Sequence, residues 1–235
     1  IAQCLVGSEM CIRDSISHMM ESVDGRIDCA MTELIAPSNS YYEALDMLSC
    51  DSTLEGRVTK QIHYALPERF VADDLTPIGK TAFHKAAEGN SFDIALDTHG
   101  TLRWPDRAAD DRLLVITDTA CPKAYHDYLT ANNISWIAVG EKGIDLHKAV
   151  ELLAAQFGVK RLAVVGGGSV NGSFLNTGLL DEVSVMIGPG IDGRRGMTSI
   201  FDGIDNPDKR PTLLRLEDVK RFDSDTIWLR YKIKK

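Results

Sequence analysis

A chain of 235 residues, 44% hydrophobic and 26% charged, has enough apolar material to bury a full core, and its length suits one large α/β domain. Its formal charge of −8 argues against broad nucleic-acid or anionic-membrane binding, because polyanions seek basic surfaces; an anionic substrate therefore needs a local basic pocket. The five cysteines, Cys4, Cys11, Cys29, Cys50 and Cys121, form no C-x-x-C pair, which fits a reduced cytoplasmic protein and speaks against a metal site, and no apolar run reaches the length of a membrane helix.

The segment Leu5–Ser15 (LVGSEMCIRDS) reads as translated sequencing adaptor, so residues 1–15 are set aside and 16–235 are expected to form a single domain. That segment lacks the basic start and long apolar stretch of a signal peptide, and its deletion is expected to leave folding and ligand binding intact. Ile16–Glu21 is a predicted strand, broken by the turn Ser22-Val-Asp24-Gly25-Arg26. Tyr41–Leu48 has helical spacing behind Asn39 or Ser40 as a cap. Ser52–Glu55 reads as a short strand running into a helix over Gly56–Tyr64, and the stretch from Pro67 to Gly89 fits no single pattern.

Phe92–Asp97 and Leu113–Thr117 are predicted strands, followed by a helix over Pro122–Asn132 and a strand over Ile134–Val139. Leu146–Phe157 is the clearest amphipathic helix, with Leu146, Val150, Leu153 and Phe157 on one face and Gly158 as its stop. Arg161–Val165 empties into Gly166-Gly167-Gly168, after which helical spacing resumes. Asp181–Ile187 is a further strand, and Leu213–Phe222 and Thr226–Ile233 alternate on either side of Asp223-Ser-Asp225 as an antiparallel hairpin.

Strands alternating with helices at this spacing mean crossover units, a mainly parallel sheet and a ligand crevice at the carboxyl ends of the strands. That rule gathers the chemistry near Asp24, Gly56, Asp97, Thr117, Gly140 and Gly166–Gly168. Glycines at a strand end let the backbone approach an anion where Cβ atoms would collide. If Ser169 or Asn171 caps the helix that follows, its first-turn N–H groups and positive dipole end favour a pyrophosphate. A tight strand-to-helix turn with no ligand accounts for the glycines equally well.

Four blocks together resemble the reductase family that contains the riboflavin-pathway pyrimidine reductases and is akin to dihydrofolate reductase. They are Met20-Glu-Ser22-Val-Asp24-Gly25-Arg26-Ile27, Gly56-Arg57-Val58-Thr59, Ala95-Leu-Asp97-Thr98-His-Gly100, and Gly166-Gly167-Gly168-Ser169-Val-Asn171-Gly-Ser-Phe-Leu175 continuing to Asp181-Glu182. The resemblance implies a three-layer α/β/α dihydrofolate-reductase-like fold with a C-terminal antiparallel hairpin, NADPH as hydride donor, a small heterocyclic or ribosylamino substrate and, as often in the family, a homodimer; the acidic charge and the lack of a long apolar run add the expectation of no nucleic-acid or membrane partner.

Carried over by position, Gly166, Gly167, Gly168, Ser169 and Asn171 hold the cofactor, with Gly56 and Thr59 as a second cradle converging on the same dinucleotide and Thr117 counted beside them. Arg57 and Lys60 become partners of the adenosine 2′-phosphate, solvated first-turn charges being the alternative. Asp24 is the catalytic candidate, as substrate contact or proton donor, with a plain turn role also open. Ser22, Asp97 and Thr98 are its companions on the substrate side, a strand-ending turn being the alternative for Asp97 and Thr98; in the loop after Asp181–Ile187 the basic pair Arg194 and Arg195 is a candidate for a substrate phosphate, a dimer or solvent-facing loop accounting for it equally well. Two departures matter: the zinc deaminase elements H-x-E and P-C-x-x-C do not occur, and the glutamate that usually precedes the glycine pair is replaced by Gly166. A reductase of another pterin, quinone or carbonyl substrate, or a non-catalytic nucleotide-binding protein, are the competing readings.

Overall fold

A computed structural model describes residues 12, 14–36, 38–106 and 112–234. In chain order the elements are β1 (Asp14–Glu21), α1 (Cys29–Ile35), α2 (Ser38–Met47), β2 (Ser52–Gly56), α3 (Arg57–His63), β3 (Ala82–His84), β4 (Asp93–Leu96) and β5 (Leu113–Thr117). They continue with α4 (Lys123–Ala131), β6 (Ser135–Ala138), α5 (Leu146–Phe157), β7 (Arg161–Val164), α6 (Gly168–Asn176), β8 (Glu182–Ile187), β9 (Leu214–Arg221) and β10 (Ile227–Ile233). Most of the segment set aside as adaptor lies outside the described residues, but its last two, Asp14 and Ser15, belong to β1, where the Ser15 N–H donates to Asp181 Oδ2 at 2.9 Å.

The chain divides into two compact units, and in the first, Asp51–Lys160, the strands run in the order β3-β6-β5-β4-β2. β2, β4, β5 and β6 are parallel, with Leu54 opposite Ile94 and Ile116 opposite Ile137, whereas β3 is an antiparallel edge strand drawn from the patternless stretch after Pro67. β5 is buried at every position, as a parallel strand covered on both faces must be. Trp104, Tyr125, Leu129 and Trp136 pack in the core beneath α4. In α5 the buried stripe is Ala149, Leu153 and Phe157; Leu146 and Val150, expected on that face, are half-buried because the helix is turned slightly toward the small Ala149. Asp145 caps it through the Lys148 N–H, and Gly158 ends it in the left-handed conformation at φ 72°.

The second unit, Asp14–Cys50 with Arg161–Lys235, orders its strands β7-β1-β8-β10-β9. β1 lies parallel to both β7 and β8, and β10 and β9 close the row as the expected antiparallel hairpin. Side chains alternate along β1: Ile16 and Met20 enter the core with Ala44, Leu48, Met186 and Trp228, while Ser17, Met19 and Glu21 point to the opposite face. Two helical details depart from the sequence reading. α1 was not legible as a helix at all, and α2 begins at Ser38, so Asn39 and Ser40 sit inside its first turn and do not cap it. The architecture is α/β and mainly parallel with a C-terminal hairpin, and no helix among the described residues is long and apolar enough to cross a membrane.

Candidate functional site

In the second unit the carboxyl end of β7 turns through Gly166, whose φ of +106° suits glycine and whose absent Cβ would stand 3.0 Å from Met19 Sδ and Cε. The Gly166–Gly167 peptide is cis. Gly167 is the N-cap of α6 and makes no side-chain cap bond, and Gly168 is already helical. Ser169 and Asn171, expected as caps, therefore lie within the helix: a glycine in extended conformation takes the capping place, and the first-turn N–H groups that no helix can pair internally remain for an anion. Nothing lies within 4 Å of the position a Cβ would take on Gly167, so the turn is open at its middle residue. Behind it the helix is clamped, since a Cβ on Gly168 would come 2.4 Å from Ser199 O and one on Gly172 1.9 Å from Asp202 O. Asn171 is fully buried; its amide donates to Ile200 O at 3.0 Å, and its Oδ1 has no partner.

The turn after β1 is wound around Ser22. Its N–H donates to Arg26 O and its buried hydroxyl donates to Asp24 Oδ1 at 2.7 Å. Asp24 also accepts the N–H groups of Asp192 and Gly193, both at 2.9 Å. With the Ser22 hydroxyl and these two amides on it, the carboxyl is held well below the usual carboxylate range. The expected proton donor is thus a firmly ionised acceptor that ties the β1 turn to the loop after β8, and Ser22 has no free hydroxyl for a substrate. Arg194 is equally committed, donating to Asp28 at 2.6 Å and to Asp192 at 2.5 Å, whereas Arg195 forms no ion pair among the described residues. More contacts hold the loop: Val23 N–H to Gly190 O, Gly188 N–H to Glu21 O, and Arg26 Nη1 to Met197 O at 2.8 Å. Glu21, which the sequence reading passed over, ends β1 half-buried, and desolvation raises its carboxyl above the ordinary value.

In the first unit Gly56 is the N-cap of α3, and the half-buried side chains of Arg57 and Thr59 make no hydrogen bond or ion pair among the described residues. Lys60 does not join them. It is fully buried, 2.5 Å from Asp93 Oδ1 and 3.5 Å from Glu55 Oε2, with its ammonium 4.4 Å from the centre of the Tyr64 ring, so it serves the fold and not a phosphate.

Asp97 is likewise a brace and not a substrate contact. Its buried carboxylate accepts the Thr101 and Leu102 N–H groups at 2.7 Å and the Tyr125 hydroxyl at 3.1 Å, which pins the loop that Thr98 opens. Thr117 is also turned inward, its hydroxyl 2.9 Å from His126 Nε2, so no polar atom of its side chain is left for a cofactor. The expectation at Gly140 falls on a cavity of about 560 Å³ whose wall includes Lys80, Thr119, Lys142 and Lys148. Among the described residues no group of three or more His, Cys, Asp and Glu side chains could hold a metal ion.

Comparison with known proteins gives this geometry a context. Two curated relatives are 2,5-diamino-6-ribosylamino-4(3H)-pyrimidinone 5′-phosphate reductases: one from Methanothermobacter thermautotrophicus, 38% identical over 81 residues, and one from Archaeoglobus fulgidus, 29% identical over 119 residues. The matches take in 34% and 49% of this chain and 37% and 53% of those proteins. Among solved structures, a pyrimidine reductase-like protein from Corynebacterium diphtheriae superposes with a TM-score of 0.71 at 18% identity, over 95% of this chain and 92% of that one. RibD from Acinetobacter baumannii gives 0.67 at 18% identity, over 97% and 59%. At such identities these structures speak for the fold. The model of the RibD C-terminal domain matches residues 13–228, and the chain belongs to that family.

Proposed function

We propose that the chain is an NADPH-dependent reductase of the pyrimidine reductase type, acting by direct hydride transfer on a small heterocyclic or ribosylamino phosphate. The observation that carries this reading is the turn at Gly167: an open glycine, unfilled helix N–H groups and, buried in the same helix, an amide oxygen without a partner. These residues fit a dinucleotide. When bound, the reduced nicotinamide supplies the hydride. Gly166–Gly168 and the first turn of α6 would hold its phosphates, with Ser169 at the exposed start of that turn and Asn171 Oδ1 as an acceptor. In the first unit Arg57 is the candidate for the 2′-phosphate, a guanidinium offering paired donors, with Gly56 and Thr59 beside it.

The decisive experiment is NADPH titration of wild type and Gly167→Ala. At φ −71° and with open space around it, the added methyl meets no clash and costs only the modest difference between glycine and alanine at an N-cap, so the melting temperature should drop little while NADPH affinity falls. Equal affinity in the variant, or none in wild type, overturns the reading. Arg57→Ala should raise the KM for NADPH far more than that for NADH. Oxidation of NADPH by a pterin, quinone or carbonyl compound but not by a ribosylaminopyrimidine would favour a related reductase, and tight NADPH binding with no turnover a nucleotide-binding protein.

The homodimer has its own support in the hairpin. On one face Leu214, Leu216 and Val219 stand opposite Ile233, Tyr231 and Leu229, and the first three are 37%, 52% and 54% exposed. A row of this kind is a natural place for a second copy. A cytoplasmic setting goes with the same reading, the cysteines of the chain forming no C-x-x-C pair.

A further inference from the structure

The site as described lacks a proton donor, because Asp24 is bound by three donors and remains ionised. Glu21 stands three residues earlier on the face of β1 that carries Met19. In the β1–β7 register Ser17 is opposite Val164, and continuing it sets Met19 beside Gly166, whose missing Cβ would touch the Met19 thioether. Glu21 is one further step along that face, at the carboxyl end of the strand. Its Oε2 lies 3.7 Å from the position a Cβ would take on Gly25, so the carboxyl is folded against the turn and not released into solvent. Among the described residues the carboxyl itself makes no hydrogen bond and no ion pair, the residue's only loop hydrogen bond being at its backbone O, which accepts from the Gly188 N–H.

We propose that Glu21 is the acid of the reduction, giving its carboxyl proton to the substrate heteroatom as the hydride reaches carbon. This rests on the reductase reading above. In the step the π bond of a C=N or C=O group breaks, a C–H bond forms with the hydride of the reduced nicotinamide, and an N–H or O–H bond forms with the Glu21 proton. The nicotinamide is oxidised, the substrate carbon is reduced, and Glu21, left as carboxylate, reloads from water. Desolvation supports the assignment by favouring the neutral carboxyl, in contrast to Asp24. The charged groups on the neighbouring segments are Asp24 and Arg26 in its own turn and Asp192, Arg194 and Arg195 in the loop after β8, none of them paired with it; residues 165–173, through the glycine turn and the first part of α6, carry no titratable side chain.

The test compares wild type, Glu21→Gln and Glu21→Asp in two measurements. In NADPH oxidation with a ribosylaminopyrimidine phosphate, wild-type kcat should fall as pH rises through the titration of Glu21. Glu21→Gln should lose about 100-fold in kcat and the pH limb with it, at unchanged NADPH affinity, and Glu21→Asp should keep the limb. In thermal melts of the protein alone, Glu21→Gln should be more stable than wild type at pH 8 and equal to it at pH 4, because only the ionised form is disfavoured by the fold. No oxidation by wild type removes the reductase reading and this proposal with it. Turnover in wild type that Glu21→Gln matches at every pH overturns the proton role alone, as does a Glu21→Gln protein that melts lower than wild type at pH 8.

Discussion

His18 shows how one buried side chain sets the response of the protein to acid. Its Nε2 is 3.2 Å from Tyr41 O, which can only accept, so that nitrogen carries the proton, and Nδ1 accepts from the Ser184 hydroxyl at 2.9 Å. Ser184 in turn receives the Trp228 indole N–H at 2.7 Å. Burial lowers the His18 pKa from 6.5 to about 4, the hydrogen bond to Tyr41 opposing it in part. Between those values the unfolded chain binds a proton that the native one refuses, so stability should fall as pH drops from 6.5 toward 4, by up to about 3 kcal/mol. Denaturant midpoints measured across that range check this, and His18→Gln should flatten the slope.

Lys60 and Arg57 make the complementary case. Lys60→Met strands the half-buried Glu55 carboxylate and should cost about 3 kcal/mol without changing the preference for NADPH over NADH, the reverse of the effect expected for Arg57→Ala. Melting temperature and coenzyme KM ratios separate the two. The sequence could not tell these cations apart, because Asp93, the partner that buries Lys60, is 33 positions away and reaches it only through the parallel pairing of β2 with β4.

At the scale of elements, what could be read was whatever carried a strong local period or a glycine stop. β5, α5 with Gly158, and the final hairpin fall where apolar spacing placed them. α1 escaped because Cys29-Ala-Met-Thr-Glu-Leu-Ile35 buries only Met31 and so has no stripe to recognise. The Ser22–Arg26 turn was legible as a turn, but the commitment of Asp24 was not, since two of its three donors lie 168 and 169 residues downstream. Asp24→Ala should free the loop after β8: amide exchange at Asp192 and Gly193 should accelerate and substrate KM should rise, while the pH dependence of kcat stays as in wild type. Gly172→Ala belongs to the same region. Its methyl would press on Asp202 O and should cost about 1–3 kcal/mol in a thermal or denaturant melt, with the loss felt where residues 198–202 pack on α6.

For the molecule as a whole, the alternation of helices and strands was enough to give the architecture and the parallel sense of most pairings, because crossover connections leave few alternatives. It was not enough to show where the core of the first unit ends and that of the second begins, for the second is assembled from both ends of the sequence. The proposed homodimer is the property at this scale that is easiest to test: Leu216→Glu should convert it to a monomer in sedimentation without unfolding it. The hairpin also carries an irregularity between Arg230 and Tyr231, where Asp218 and Leu216 are their partners and Glu217 is left over as an extra residue of β9. A bulge of this kind bends and twists an edge strand, so that a strand from another chain finds no straight rim along which to continue the ladder. Removing Glu217 would straighten that rim and invite open-ended stacking, detectable as fibrils by thioflavin fluorescence. In the proposed dimer, one surplus glutamate would then be what keeps the assembly from growing past two chains.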